Sequence, residues 1–154
     1  MDNDNIDVMS PGKKALVLLK LLIDLAESKC PILIDQPEDN LDNRAIYNEL
    51  VKYIRRKKKE RQIILVTHNP NVVVGADSEE IIVANQSGKN SPNENNIKFQ
   101  YLTGSLENSI KRIDDEKLPL LYRCGIREHV CDILEGGESA FKDRENKYGF
   151  KKSF

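Results

Sequence analysis

Two apolar runs end in residues able to do chemistry. Pro31-Ile-Leu-Ile-Asp35 closes on a carboxylate, and Gln62-Ile-Ile-Leu-Val66 leads into Thr67-His68-Asn69-Pro70. Short apolar runs bounded by breakers suit parallel strands covered on both faces, and ligands of open parallel sheets bind beyond the strands' carboxyl ends. Asp35 and His68 are therefore expected on one edge. Singly, each has an ordinary explanation: a strand-end Asp caps helices or pairs with a cation, and a strand-end His can be a satisfied polar terminus. A strand-end carboxylate can also hold Mg²⁺ through water, because Mg²⁺ keeps much of its hydration shell. Upstream, Ser10-Pro11-Gly12 has the make-up of a capped helix start that a phosphate can approach, with small Gly12 after the capping Ser and the N1 Pro.

The wording around these residues carries more. Ile32-Leu-Ile-Asp35-Gln36-Pro37-Glu38-Asp39-Asn40-Leu41-Asp42 resembles the Walker B strand and D-loop of ABC-type ATPases. Met9-Ser10-Pro11-Gly12-Lys13-Lys14 stands where their signature Leu-Ser-Gly-Gly-Gln would stand, and Val66-Thr67-His68-Asn69 looks like their switch-histidine motif. The four motifs occur in the family's order. The unbroken Asp-Gln-Pro-Glu-Asp-Asn-Leu-Asp looks most like the SMC, RecF and RecN class, and in particular like ATPases fused to PHP-type phosphoesterase domains in DNA-maintenance and phage-defence systems. Residues 9 to about 86 carry the resemblance.

The resemblance implies a shared mechanism, in which ATP sits on the Walker A of one head and the signature of another head caps its γ-phosphate. Ser10 and Gly12 would act in trans, Asp35 on Mg²⁺, His68 on the γ-phosphate, and Asp42 at the interface between heads. ATP would hold a dimer together and its hydrolysis would release it.

This sequence departs from the family pattern twice. No Gly-x-x-x-x-Gly-Lys-Ser/Thr occurs: Gly12-Lys13 and Gly88-Lys89 lack both the earlier Gly and the following hydroxyl residue. The expectation is an isolated C-terminal lobe that needs a Walker A-containing N-terminal lobe. The second departure is Gln36, which stands where the family has the catalytic Glu; an amide cannot accept the proton of an attacking water. Glu38, just beyond Pro37, is the nearest carboxylate able to take over.

Helical and extended periods supply the positioning elements. Pro11 to Glu27 reads as a mostly buried helix with Lys13, Lys20, Asp24 and Glu27 in one polar stripe. A second helix begins at Asp42 as N-cap, carries Ile46, Tyr47, Leu50, Val51 and Ile54 at helical spacing, and ends in a basic tail. Further strands are predicted at Glu80 to Ala84 and Ile97 to Leu102, separated by an insertion-tolerant loop, Gln86 to Asn96. Helix is predicted from Ser105, with Leu106, Ile110 and Ile113 on one face, then over Leu120 to Leu134, a Gly136-Gly137 break, and a charged segment from Glu138 to Lys152. The fold class is α/β: a partial P-loop NTPase lobe with mainly parallel strands flanked by helices over residues 1–104, and an α-rich extension over 105–154.

Composition sets the outer bounds. The chain has 154 residues, 39% hydrophobic and 32% charged, enough for one domain or one lobe of a larger one. With 24 basic against 25 acidic residues its net charge is -1, which removes any global electrostatic argument for nucleic-acid or membrane binding. The run Arg55-Arg-Lys-Lys-Lys-Glu-Arg61 could meet DNA phosphates, but a helix end complementing its dipole explains it as well. Apolar runs are too short for a membrane span and the acidic start is unlike a signal peptide, so a cytoplasmic location is expected. Cys124, His129 and Cys131 have poor zinc spacing and read as structural.

Three functions compete: an ATPase half-site serving DNA repair, DNA maintenance or phage defence; a non-catalytic interaction module derived from one; and a metal-dependent Toprim-like domain using Asp35, Glu38 and Asp39.

Overall fold

A computed structural model of the chain describes residues 5–113, 115 and 117–149. The acidic start and the end of the charged C-terminal segment, residues 150–152, lie outside them. The chain packs as two compact units, residues 1–77 and 78–154.

The first unit opens with helix α1 (Pro11–Leu25). The Ser10 hydroxyl oxygen accepts the Lys13 N–H at 3.3 Å, and Pro11 takes the first helical position, where no amide hydrogen is needed. Strand β1 (Ile32–Asp35) runs parallel to β2 (Ile63–Val66), in a register that pairs Leu33 with Ile64 and Asp35 with Val66. Between them α2 (Asn43–Ala45), a π-helical segment (Ile46–Val51) and α3 (Lys52–Lys57) form one continuous helical rod. It starts where expected: Asp42 Oδ1 accepts the Ala45 N–H at 2.9 Å. A short α4 (Pro70–Gly75) follows β2, capped by Asn69. The predicted strand, helix and parallel strand are thus present.

The core of this unit joins Leu16 and Ile23 of α1, Ile34 of β1, Ile46, Leu50, Val51, Tyr53 and Ile54 of the rod, and Val72 with Ala76 near α4. Ile32, Ile63 and Leu65 pack against it, which covers one face of the β1/β2 pair. The other face corrects the sequence reading: Leu33 is 71%, Ile64 43% and Val66 51% exposed. Helix α1 is corrected in the same sense. Only Gly12, Leu16 and Ile23 are buried, while Leu18, Leu21, Leu22 and Leu25 face solvent. The strands are apolar on both faces and the helix is apolar outside its one polar stripe, but the described residues of this unit cover one side of each.

The second unit is built on the antiparallel pair β3 (Ile81–Gln86) and β4 (Phe99–Gly104). Val83 is buried with Leu121, Cys124, Ile126 and Val130. The loop joining the strands is pinned by Asn93. Its Nδ2 donates to the carbonyls of Asn85, Ile97 and Lys98, and its Oδ1 accepts from Asn85 Nδ2 at 2.6 Å. Residues 105–113 form no helix. Their backbone lies along 123–127, with Gly125 N–H donating to Ile110 O at 3.1 Å and Ile113 N–H to Arg123 O at 2.8 Å. Those bonds claim the groups a helix would use. Helix returns in α5 (Ile126–Val130), continues through a π-helical segment (Cys131–Glu135), breaks at left-handed Gly136, and resumes in α6 (Glu138–Tyr148). The hairpin thus packs with residues 105–149 in the second compact unit. Cys124 is buried, and buried His129 has its Nε2 3.0 Å from the Leu121 carbonyl, so both serve this core.

Candidate functional site

The parallel pair brings its chemistry to one edge. Asp35 ends β1 and is exposed, and His68 stands two residues past the end of β2. The chain then turns tightly. Gln36 N–H donates to Val66 O at 2.8 Å, Asp39 N–H to Gln36 O at 3.1 Å, and Leu41 N–H to Glu38 O at 3.0 Å. Gln36 itself takes a left-handed backbone, φ 44°, a region that residues other than Gly and Asn rarely enter.

This turn folds Gln36 and Glu38 onto the β2 end. Gln36 Nε2 lies 3.3 Å from His68 Nδ1. Glu38 is buried, 5% exposed, and its Oε1 accepts a short hydrogen bond from the Thr67 hydroxyl. The same oxygen is 3.4 Å from the His68 backbone N–H and 3.9 Å from His68 Nδ1. Glu38 Oε2 is buried with no hydrogen-bond partner among the described residues, an expensive arrangement for a carboxylate unless a donor arrives. Asp35, Gln36, Glu38 and His68 therefore converge at one strand edge. Thr67 joins them, although its place beside His68 was the only sequence signal for it.

Ser10, Gly12 and Asp42 have local duties in the same unit. Ser10 caps α1 and Asp42 caps the helical rod. Gly12 is buried where a Cβ would stand 2.0 Å from the Asn40 carbonyl oxygen and 2.5 Å from its carbon. Its smallness lets the start of α1 press against the backbone of the turn after β1.

As a metal site, the edge offers oxygen but too little of it alone. No group of three His, Cys, Asp or Glu able to hold an ion exists among the described residues. That argues against a self-sufficient cation site on Asp35, Glu38 and Asp39. Exposed Asp35 fits a hard cation that brings most of its own ligands, as Mg²⁺ does when phosphates and water complete its shell.

The basic run is largely engaged within the unit. Lys57 Nζ pairs with Asp24 at 3.0 Å and Glu60 at 2.8 Å, Lys58 with Asp77 at 3.3 Å, and the Arg61 guanidinium donates to the Cys30 carbonyl at 2.6 Å and 3.1 Å. Arg56 lies 5.3 Å from the centroid of the Tyr53 ring. A groove of about 580 Å³ opens between α1 and the rod, lined by Lys20, Asp24, Glu49, Tyr53 and Arg56 among others, and the strand-end residues do not line it.

No protein-family profile and no curated protein matches the chain. Among solved structures, one from work on ATP-driven dimerization and DNA-stimulated activation of SMC ATPases is similar, with a TM-score of 0.52 and 22% identity over 68% of this chain. The match covers 59% of that protein's chain, less than two thirds of its length. No helix among the described residues is long and apolar enough to cross a membrane. The likeness shows the fold alone: the chain is α/β and similar in architecture to part of that structure.

Proposed function

We propose that this chain is the C-terminal half of an ABC/SMC-like ATPase head, which binds and hydrolyses ATP at a head–head interface once a Walker A-containing lobe is supplied. The observation that carries the reading is the convergence of Asp35, Gln36, Glu38 and His68 at the carboxyl edge of a parallel pair. The missing phosphate loop and the bare faces of β1/β2 and α1 support a half-site rather than a complete one.

In this reading Asp35 would hold nucleotide-bound Mg²⁺, whose charge would offset that of the phosphates when bound. His68 would donate a hydrogen bond to the γ-phosphate. Glu38 would be the base: Thr67 and the His68 backbone fix one carboxylate oxygen, and the unpartnered Oε2 has a lone pair for a water proton. Ser10 would face the nucleotide of the partner head, Gly12 would let the start of α1 seat against the turn after β1, and Asp42 would lie at the head interface. A dimer held by ATP, acting on DNA in repair, maintenance or phage defence, completes the proposal.

The test mixes this chain with a purified Walker A-containing lobe. ATP hydrolysis should appear only in the mixture, and Glu38→Gln in this half should slow turnover at least 100-fold, the scale of losing a general base. Hydrolysis by the 154-residue chain alone would contradict the half-site, and a Glu38→Gln mixture as fast as wild type would remove Glu38 as base. The exposed apolar faces also favour a second reading, a non-catalytic module that binds partners through them. Binding of the Walker A lobe with no hydrolysis would select it.

A further inference from the structure

We infer that Thr67 is a positioning residue that keeps Glu38 and His68 from closing into an ion pair, an inference that rests on the proposed function only for what the separation serves. There it leaves the carboxylate free for a water and the imidazole free for a phosphate oxygen.

A buried carboxylate beside an imidazole ordinarily pairs with it, because a charge-assisted hydrogen bond offsets part of the cost of leaving water. Here the two stop short. Glu38 Oε1 is 3.9 Å from His68 Nδ1, beyond hydrogen-bond length, although Glu38 is buried and its other oxygen has no partner among the described residues. The Thr67 hydroxyl occupies Oε1, with a longer contact from the His68 backbone N–H at 3.4 Å. Two bonds fix that hydroxyl. Its oxygen accepts the Asn69 N–H at 3.1 Å, and an ionised carboxylate only accepts, so the hydroxyl proton points to Glu38. The Thr67 methyl group could make neither bond, and the two carboxylate oxygens are chemically equivalent.

His68 is met from the other side. The Gln36 amide lies 3.3 Å from Nδ1, and it engages that ring nitrogen whichever end of the amide faces it. Asp35 and Asp39 form no ion pair with His68 among the described residues, so Glu38 is the carboxylate within reach of the ring. Loss of the Thr67 hydroxyl would leave Glu38 Oε1 with one long backbone contact and with His68 beside it. Closing onto the ring would hold a solvent-derived proton on the imidazole and commit the carboxylate to accepting that N–H. Neither group would then be free for its own partner.

The experiment follows the ring-proton resonances of the histidines by NMR across pH, in the full chain without nucleotide. Thr67→Val, which keeps the shape and loses the hydroxyl, should raise the His68 titration midpoint by about 0.5 pH units or more, the direction an ion pair imposes. Thr67→Ala should raise it in the same way. Thr67→Ser, which keeps the hydroxyl, should titrate like wild type, and adding Glu38→Gln to Thr67→Val should abolish the rise. His129, buried against the Leu121 carbonyl in the second unit, should behave alike in every variant. An unchanged His68 midpoint in Thr67→Val and Thr67→Ala, or a rise that survives Glu38→Gln, would overturn the inference. With no nucleotide present, this outcome is independent of whether the mixed lobes hydrolyse ATP.

Discussion

At the residue scale, Gly12 separates two explanations that the sequence alone left joined. A small residue near a helix start suits close phosphate approach, but here the space is taken by the backbone of Asn40. Gly12→Ala puts a methyl group 2.0 Å from a carbonyl oxygen, a contact that no side-chain rotation relieves. It should destabilise the chain by about 1–3 kcal/mol, the usual scale of overpacking, read as a lower urea midpoint at unchanged slope. An unchanged midpoint would return Gly12 to a role in ligand approach alone. Asp35, His68 and the capping duties of Ser10 and Asp42 were legible in the sequence, because strand ends and caps follow from local pattern. The contacts of Thr67 and Gln36 were not. They join positions about 30 residues apart and depend on a left-handed turn that nothing in the local sequence announces.

At the element scale, the basic helix end turns out to be part of a network between the rod and α1. The Tyr53 hydroxyl donates to Asp24 Oδ1 at 3.0 Å, and Lys57 pairs with the same carboxylate at 3.0 Å. The Lys57 hydrogen bond, with help from Tyr53, holds the Asp24 carboxyl below its ordinary range. Burial, reinforced by the Asp24 carboxylate, pushes the Tyr53 phenol up to about 12 from 10.0. The folded chain thus keeps a proton that the unfolded chain sheds between those values. Stability from Tyr53 is fully present below pH 10.0 and lost as pH rises through about 12. Tyr53→Phe should flatten this alkaline loss while weakening the fold near neutrality, measured as urea midpoints across the range. Parallel alkaline limbs for the two proteins would deny Tyr53 that part. The helix itself was readable from its apolar spacing and its Asp42 cap, whereas the predicted helix over 105–113 was not formed. Apolar spacing at Leu106, Ile110 and Ile113 mimics a helix, but the backbone bonds to Arg123 and Gly125 form instead.

At the scale of the whole molecule, the exposed apolar surface follows from a fold that resembles part of a larger protein. Parallel sheets are normally covered on both faces, because their strands are apolar on both. Here the register sets Leu33 beside Ile64 on the face that the core does not use. Burying one such side chain contributes roughly 1.5–3 kcal/mol, so covering the pair favours association. The chain should self-associate with rising concentration. Leu33→Lys combined with Ile64→Lys should weaken that association at least tenfold, about 1.4 kcal/mol or more, in sedimentation velocity. Both side chains point away from the core, so the urea midpoint of the monomer should change little. A double variant that sediments like wild type at every concentration would show that this face does not mediate association. If the variant is monomeric and also fails to bind the Walker A lobe of the proposed function, one face would serve both self-association and that binding.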